Sequence, residues 1–253
     1  MVPMFTMRSA VVVLALLLGA RPALAEDVVV FSSVAMRAVV EDIAQRFERE
    51  TRNHVAATFG LAAAMKARIE AGDAYDLAIL TPAQIDDLIK QGKAAAASRA
   101  VIARTGLGLM VRAGAPKIDV GTVDAFKRTL TGAASLTYVP AGASGIAFIA
   151  TAKQLGIADA LQAKTKAAAS GDEVNANVTS GAAAIAVLPV SEILPVKGAA
   201  LGGVFPAEVQ TYIVMAGATS NSASKATRDF LARLTSAASD AVITAKGMER
   251  VKP

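Results

Sequence analysis

Strand-like and helix-like segments alternate three times near the start of the chain, and this alternation constrains the fold more than any other feature. The apolar run 27–31 is followed by residues 34–50, whose apolar side chains recur at helical spacing. A strand-like run at 54–59 and a helix-like segment at 62–71 come next, and a third pair ends before Gly92. These units predict an α/β fold with a mostly parallel sheet and helices on both faces.

A long extended segment interrupts this alternation at residues 99–116, where Gly106 lets the backbone bend easily. The alternation restarts beyond it, and a second extended stretch follows at residues 204–217. Two such crossover segments predict two lobes, each a mixed, mostly parallel sheet flanked by helices. We expect lobe 1 to comprise residues 26–105 and 212–253, and lobe 2 to comprise residues 106–211.

The first 25 residues have the parts of a cleavable export signal. Arg8 lies before an apolar stretch at residues 10–20, and residues 23–25, Ala-Leu-Ala, are typical of a cleavage site. An N-terminal membrane anchor is the alternative, but an apolar stretch of roughly eleven residues is too short to span a bilayer comfortably. We therefore expect the mature chain to begin at Glu26 and to act in the periplasm.

Charge and composition exclude several classes of function. Removing Arg8 and Arg21 with the signal leaves 24 basic residues against 21 acidic ones, a net charge of +3 that is scattered along the chain. This excess suits an anionic ligand but not nucleic acid, and aromatic residues make up only 4% of the chain. The absence of Cys excludes disulfides and thiolate metal sites. We expect no metal and no cofactor.

Two turns, one in each predicted lobe, carry the polar groups best placed to bind a ligand. Ser32 and Ser33 follow the first strand and open the first helix, whereas Ser144 and Gly145 open a helix after the strand at 135–140. Ligands of open α/β sheets bind beyond the carboxyl ends of strands, where helix N-termini present unpaired N–H groups. These serines could hold an anion, or they could only cap their own helices.

Further candidates lie near other strand ends. We expect Gly60, Glu173 and Ser191 to contact the ligand as well. A carboxylate in such a site would repel an anion unless it took up a proton or met a cation such as Lys66 or Arg68. Four other polar residues could line the same cleft or be solvated loop and cap residues: Thr81, Asp172, Asn175 and Glu192.

Nucleophilic catalysis has little support in the sequence. The turn at Ser144 reads G-A-S-G-I rather than G-x-S-x-G. The single histidine, His54, opens a predicted strand and so lies at the wrong end of the sheet for a site beyond the strand ends. Gly106-Leu107-Gly108 lies in an extended run without a following helix, which argues against a dinucleotide site. We therefore expect no catalytic residues.

The pattern as a whole resembles the type II periplasmic solute-binding proteins, and within them the molybdate-binding proteins of ABC importers. The resemblance covers Asp27 to Met248 and includes VVVFSSVAMRAVVEDIAQRFERET, MKARIEAGDAYDLAIL, the SGI that opens a helix ending in LGI, and AAIAVLPVSEILP. It implies a monomer whose lobes close about a hinge on a small anion, a molybdate-like oxyanion or an organic acid. It also implies delivery of that ligand to an ABC permease in the inner membrane.

The sequence departs from the molybdate-binding proteins at the positions that hold the oxyanion. Serines of that family fall here on Ala35 and on the run 61–63, and its tyrosine falls near Pro189, while Ser144 and Gly145 keep their place. Each lost donor to a buried dianion costs about 1.5–3 kcal/mol. Molybdate is therefore disfavoured as the ligand unless neighbouring serines substitute.

Five segments, DDLIKQGK, RAGAPK, VDAFKRTL, ASGI and VSEILPV, are similar to periplasmic aconitate isomerase, which has the same fold. This similarity implies an alternative function, in which a base removes a proton next to a carboxylate so that a double bond can move. Glu173 and Glu192 are the candidate bases. A binding module that signals to a membrane receptor would have the same sequence features as an importer component.

Overall fold

A computed structural model describes residues 26–251, so the predicted export signal lies outside the described part of the chain. The strands are β1 (Asp27–Ser33), β2 (His54–Gly60), β3 (Leu77–Leu80), β4 (Ala100–Arg112), β5 (Leu136–Tyr138), β6 (Thr165–Ala167), β7 (Ile185–Pro189), β8 (Ala199–Val204) and β9 (Tyr212–Thr219). The α-helices are α1 (Arg37–Thr51), α2 (Ala62–Ala71), α3 (Pro82–Lys90), α4 (Val123–Gly132), α5 (Ala143–Gln154), α6 (Ala158–Gln162), α7 (Gly171–Thr179), α8 (Val190–Ile193), α9 (Lys225–Thr235) and α10 (Asp240–Ala245). Within residues 26–251, no helix is long and apolar enough to cross a membrane.

The strands form two groups, one for each lobe, and β4 belongs to both. The first group has the order β2-β1-β3-β9-β4, in which β1 is parallel to β2 and β3 while β9 is antiparallel to β3 and β4. The second group has the order β4-β7-β5-β6, in which β5 is parallel to β6 and β7 while β4 is antiparallel to β7 and β8. The predicted two-lobed α/β fold with mixed sheets is confirmed.

A change of partner within β4 marks the passage from one lobe to the other. Residues up to Gly106 pair with β9, and residues from Leu107 onward pair with β7 and β8. The returning chain runs beside this point, where Gln210 Oε1 accepts from Leu107 N at 2.8 Å and Gln210 Nε2 donates to Leu107 O at 3.1 Å. One side chain thus ties the two crossovers together, and the lobe boundaries expected from the sequence, 105/106 and 211/212, stay a prediction.

Packing between distant helices closes the core of lobe 1. Helix α1 buries Val39, Ile43 and Phe47 on one face, as its apolar spacing predicts. The ring of Phe47 contacts that of Phe230 from α9, with the ring centroids 5.2 Å apart. Removing such apolar surface from water is the main source of stability. The C-terminal helix α9 therefore packs against the first helix of the chain.

Several segments differ from the sequence-based prediction, which also left out α6, β6 and α8. The stretch predicted as one extended segment at 204–217 is divided into the end of β8, a 3₁₀ helix at Ala207–Val209 and β9. Pro206 starts that 3₁₀ helix, because its fixed φ favours the first position of a helical turn. Helix α7 was not predicted, since Val174 and Val178 are the only large apolar side chains that it buries.

Candidate functional site

The ends of β1 and β2 in lobe 1 face the starts of two helices in lobe 2 across a small cavity, the inner pocket. Its volume is about 30 Å³, which is room for only one or two water molecules. Lobe 1 contributes Ser33, Ala35 and Leu61, and lobe 2 contributes Ser144 and Pro189. The inner pocket therefore lies where the two lobes meet, beyond the carboxyl ends of the strands.

Two helices start at the inner pocket without a side-chain cap. Helix α2 begins after Leu61 and helix α5 begins after Gly142, and neither residue supplies a capping oxygen. The first amides of a helix have no acceptor within the helix, and they carry a partial positive charge. These two helix starts, one from each lobe, therefore present N–H donors to the pocket.

Ser32 and Ser33, both predicted ligand contacts, have different positions. The hydroxyl of Ser33 lies at the inner pocket and accepts from the amide of Ala35 at 3.4 Å, as a cap of the 3₁₀ helix Val34–Met36. Ser32 is fully buried, does not line the pocket, and donates its hydroxyl to Ser33 O at 3.1 Å. The two alternatives for Ser33, helix cap and ligand contact, are thus compatible, because a hydroxyl that accepts one hydrogen bond can still donate another.

In lobe 2, the predicted residues Ser144 and Gly145 also separate. Ser144 is buried and lines the inner pocket in the first turn of α5. A Cβ at Gly145 would lie 1.9 Å from Val139 O, so this glycine allows α5 to start directly against the end of β5. Gly60, predicted from lobe 1, pairs with Ser33 in the β1–β2 register and does not line the pocket.

A larger cavity of about 220 Å³, the side cavity, adjoins the inner pocket. Its walls come from α1, α7 and α8, and its polar lining consists of Arg37, Glu41, Asp172, Asn175, Ser191 and Glu192. Val34, Gly171 and Glu192 line both cavities. The two cavities are therefore neighbouring compartments of one cleft, with Glu192 at their common wall.

Glu192 is the most perturbed carboxyl group of the cleft. Its pKa is raised from 4.5 to about 7: burial is the main cause, the positive charge of Arg37 opposes the rise, and nearby Asp172 adds to it. A Cβ on Gly171 would lie 3.0 Å from Glu192 Oε2, so the missing side chain leaves space for the carboxyl group at the start of α7. Near neutral pH this group exists in both protonation states and can donate or accept a hydrogen bond.

Arg37 and Asn175 each bring a buried polar atom without a partner to the side cavity. Among residues 26–251, neither Arg37 Nε nor Asn175 Oδ1 has a hydrogen-bond partner. The guanidinium of Arg37 lies over the ring of Phe59, 5.3 Å from its centroid. Arg37 is thus the cation beside the cleft carboxylate, whereas Lys66 and Arg68, the cations suggested by the sequence, bind carboxylates outside the cleft.

Ser191, another predicted contact, connects the lobes. Its hydroxyl donates to Ala35 O at 2.8 Å, and its amide donates to Thr105 Oγ1 at 3.2 Å. Ala35 belongs to the 3₁₀ helix Val34–Met36 and Thr105 to β4, both in lobe 1, whereas Ser191 is part of α8 in lobe 2. Ser191 also lines the side cavity. Its hydrogen bonds therefore hold α8 against lobe 1 at the edge of the cleft.

The structure places Glu173 outside the cleft. Its carboxylate accepts from Ala169 N at 2.8 Å, while its own amide donates to Ser170 Oγ at 3.2 Å. Ser170 therefore caps α7, the Glu173 carboxylate binds the residue before the cap, and the Glu173 side chain is exposed. Thr81 has a similar role at α3, where its amide donates to Gln84 Oε1 at 3.2 Å.

Within residues 26–251, no group of three or more His, Cys, Asp or Glu side chains could hold a metal ion. His54 pairs with Glu48, 2.9 Å from Nδ1 to Oε1, at the start of β2 and therefore at the end of the strand remote from Gly60. Neither Ser33 nor Ser144 has a histidine beside it in the inner pocket. The arrangement is suited to binding an anion rather than to nucleophilic attack.

Arg37 and Asn175 illustrate what the sequence did and did not indicate. Arg37 was not predicted as a site residue, although it occupies the first position of α1, after the short 3₁₀ helix that follows the serine pair. Asn175 was one of several polar residues with two possible interpretations. Their meeting depends on the starts of α1 and α7 facing one cavity, and the overlooked signal for α7 is the Ser170-x-x-Glu173 pattern at its start.

Comparisons with known proteins agree with this geometry. The family model for bacterial extracellular solute-binding proteins matches residues 28–249. An aconitate isomerase from a Pseudomonas species is 27% identical over 213 residues, which are 81% of each chain.

Solved structures show the same fold. The periplasmic molybdate-binding protein of Azotobacter vinelandii has a TM-score of 0.76 and 22% identity, with 89% of this chain and 99% of that chain covered. The sulfate-binding protein SubI from Mycobacterium tuberculosis has a TM-score of 0.71 and 16% identity, with 90% of this chain and 88% of that chain covered. Because the family model spans nearly all of the described residues, the chain belongs to the bacterial extracellular solute-binding proteins.

Proposed function

We propose that this protein is the periplasmic binding component of an ABC importer and that it captures a small organic acid anion between its lobes. The observation that carries this proposal is the convergence of two uncapped helix starts, α2 from lobe 1 and α5 from lobe 2, on the inner pocket. An anion there would receive N–H donors from both lobes at once. Its binding would therefore favour the closed arrangement of the lobes over an open one.

The donors at the inner pocket favour a carboxylate over a tetrahedral dianion. Ser33 and Ser144 supply two hydroxyl groups, whereas Ala35 and Leu61 supply no side-chain donor. A carboxylate has two oxygens to satisfy, but an oxyanion such as molybdate has four, and each unsatisfied one loses a charge-assisted hydrogen bond. The adjoining side cavity also offers room for the body of an organic acid.

A thermal-shift screen of the purified protein tests the binding proposal. We expect at least one di- or tricarboxylate to raise the melting temperature in a concentration-dependent way, because a ligand that binds only the folded state stabilises it. Molybdate, tungstate and sulfate should have smaller effects at equal concentration. No shift with any anion, or a shift with the inorganic oxyanions alone, would contradict the proposal.

Uptake measurements test the transport role separately. A strain that lacks this gene should lose high-affinity uptake of the labelled acid found in the screen, and a copy of the gene should restore it. A complementing copy with Ser144→Ala should restore less uptake at low ligand concentration. Normal uptake in the deletion strain would instead favour a binding module that serves a membrane receptor.

A second candidate function, isomerisation of an unsaturated acid, is favoured by one observation. Glu192 is a buried carboxyl group of the cleft whose pKa is raised to about 7, and a general base works best when its pKa is near the working pH. Arg37 could hold the substrate carboxylate beside it. The relative that is named as an aconitate isomerase makes aconitate the first substrate to test.

The enzyme hypothesis predicts interconversion of cis- and trans-aconitate, which absorbance can follow. Glu192→Gln should abolish turnover, because the amide cannot accept the proton. Glu173→Gln is the matched control and should retain turnover, since Glu173 lies outside the cleft. Absence of turnover in the unmodified protein would remove this candidate and leave the binding function.

A further inference from the structure

The side cavity contains an unusual concentration of unpaired polar atoms. Within residues 26–251, three buried side-chain nitrogen or oxygen atoms lack a hydrogen-bond partner: Arg37 Nε, Asn175 Oδ1 and Ser220 Oγ. Two of these three atoms belong to residues that line the side cavity. Buried polar groups in folded proteins nearly always have partners, so two orphan atoms in the wall of one cavity point to a partner from outside the chain, water or ligand.

The two orphan atoms require hydrogen-bond partners of different chemistry. Arg37 has only donors and a permanent positive charge, and its planar fork matches the two oxygens of a carboxylate. Asn175 Oδ1 is an acceptor, so its partner must be a donor such as a hydroxyl. Asp172 and Glu41 also face the side cavity, which makes a neutral hydroxyl a better partner for the α7 wall than another anion.

The size of the side cavity limits the ligand to a small molecule. Its volume of about 220 Å³ exceeds that of a cavity of about 150 Å³, which is known to hold benzene. It therefore has room for about nine non-hydrogen atoms. Because Val34, Gly171 and Glu192 line both compartments, one molecule can extend from the inner pocket into the side cavity.

We infer that the ligand is a hydroxy dicarboxylic acid that spans the two compartments. One carboxylate binds the helix starts at the inner pocket, the second binds Arg37, and the hydroxyl between them donates to Asn175 Oδ1. This inference rests on the proposed function, because the inner pocket supplies the first of the three contacts. It assigns Arg37 and Asn175 as the residues that select the ligand.

Isothermal titration at pH 7 tests the inference with a matched series of acids. The probes are malate and tartrate, succinate as the dicarboxylate without a hydroxyl, and glycolate as the hydroxy acid without a second carboxylate. We expect malate or tartrate to bind at least tenfold more tightly than succinate and glycolate. This comparison needs only the unmodified protein, so it decides the inference even if a variant fails to fold.

Two variants assign the contacts. Asn175→Leu should lower malate affinity to that of succinate and leave succinate affinity unchanged. Arg37→Gln should weaken malate and succinate at least tenfold and leave glycolate unchanged, whereas Arg46→Gln, an exposed pair partner of Asp42 on the same helix, should change nothing. Circular dichroism confirms that each variant is folded before titration.

The outcomes separate this inference from the proposed function. If no acid binds, the proposed function fails and the inference fails with it. If acids bind but succinate or glycolate binds as tightly as malate and tartrate, the inference is overturned while the binding function stands. Equal losses with Arg37→Gln for glycolate and malate would also overturn it, since only the second carboxylate should contact this residue.

Discussion

Two pairs of helix starts in this molecule differ in how their first amides are satisfied. Helices α4 and α9, away from the cleft, begin after Thr122 and Ser224, whose hydroxyls accept from Ala125 N and Thr227 N. Helices α2 and α5, at the cleft, begin after Leu61 and Gly142 and have no side-chain cap. A cap typically contributes about 1 kcal/mol to stability.

Under the proposed binding function, this difference is where the fold gives up stability for binding. A capped helix start has already satisfied its donors, so an anion gains little there. An uncapped start keeps its donors available for a ligand, and the pairing of one such start from each lobe makes the site depend on lobe closure. Four substitutions test this contrast between capped and uncapped helix starts.

Gly145→Ala should produce the largest loss of stability. The start of α5 is held by close backbone packing instead of a cap, and an added Cβ would lie 1.9 Å from Val139 O. Displacing the helix should lower the free energy of unfolding by about 3 kcal/mol, measured in urea. Gly132→Ala at the end of α4 is the control, because nothing lies within 4 Å of the added Cβ there. Equal effects of the two substitutions would contradict the packing argument.

Glu192→Gln should change how stability depends on pH. The pKa of Glu192 is raised from 4.5 to about 7 in the folded protein, so between these values the folded state binds more protons than the unfolded state. The free energy of unfolding therefore falls as the pH rises from 4.5 to 7 and then levels off. The glutamine variant lacks this fall and should exceed the wild type by about 1–2 kcal/mol at pH 8. Urea denaturation at pH 4–9 measures the free energy of unfolding of both proteins. Parallel pH dependence of the two would contradict a raised pKa for Glu192.

Leu61→Asp should convert an uncapped helix start into a capped one. The new carboxylate can accept from the first amides of α2, but it also places a negative charge at the inner pocket. We expect anion affinity to fall at least tenfold, about 1.4 kcal/mol, while the protein without ligand becomes slightly more stable. Leu61→Asn, a cap without charge, should show a smaller loss of affinity. Unchanged affinity in both variants would mean that α2 does not contact the ligand.

Ser224→Ala should have the smallest effect, and it should lower stability without changing anion affinity. Removing the cap of α9 should lower the free energy of unfolding by about 1 kcal/mol, because Thr227 N loses the acceptor that it now has at 3.2 Å. Affinity for the anion should not change, since α9 lies outside the cleft. If the Ser224→Ala variant bound the anion more weakly in titrations, helix starts outside the cleft would also affect binding, and this would contradict the contrast.

Much of the fold was predictable because it depends on local patterns. The alternation of strands and helices, the crossover in β4 and the positions of Ser33 and Ser144 follow from periodicity and from the rule that ligands bind at strand ends. The unexpected helix α7 and its Asn175 did not follow. Their place in the cleft depends on packing between segments more than 100 residues apart, which local pattern does not encode.

The charged residues of the cleft were harder to predict for a related reason. Lys66 and Arg68 have carboxylates close by in sequence, Glu70 and Asp73, and they pair with those. Arg37 also has a carboxylate four residues further on, Glu41, but the two form no ion pair within residues 26–251 and both line the side cavity, where Arg37 opposes the raised pKa of Glu192. Spacing in the sequence therefore does not decide which cations stay available, and only the folded arrangement identifies them.

Backbone amide shifts in ¹H–¹⁵N spectra test the central claim most directly. On saturation with the tightest-binding acid, the amides of Ala63 in α2 and Ser144 in α5 should move downfield, because each gains an anionic acceptor. The amide of Thr227, already bonded to the Ser224 cap, should not move. Shifts of Ala63 and Ser144 together would establish an anion held by both lobes at uncapped helix starts. Saturation without a shift at either amide would contradict it.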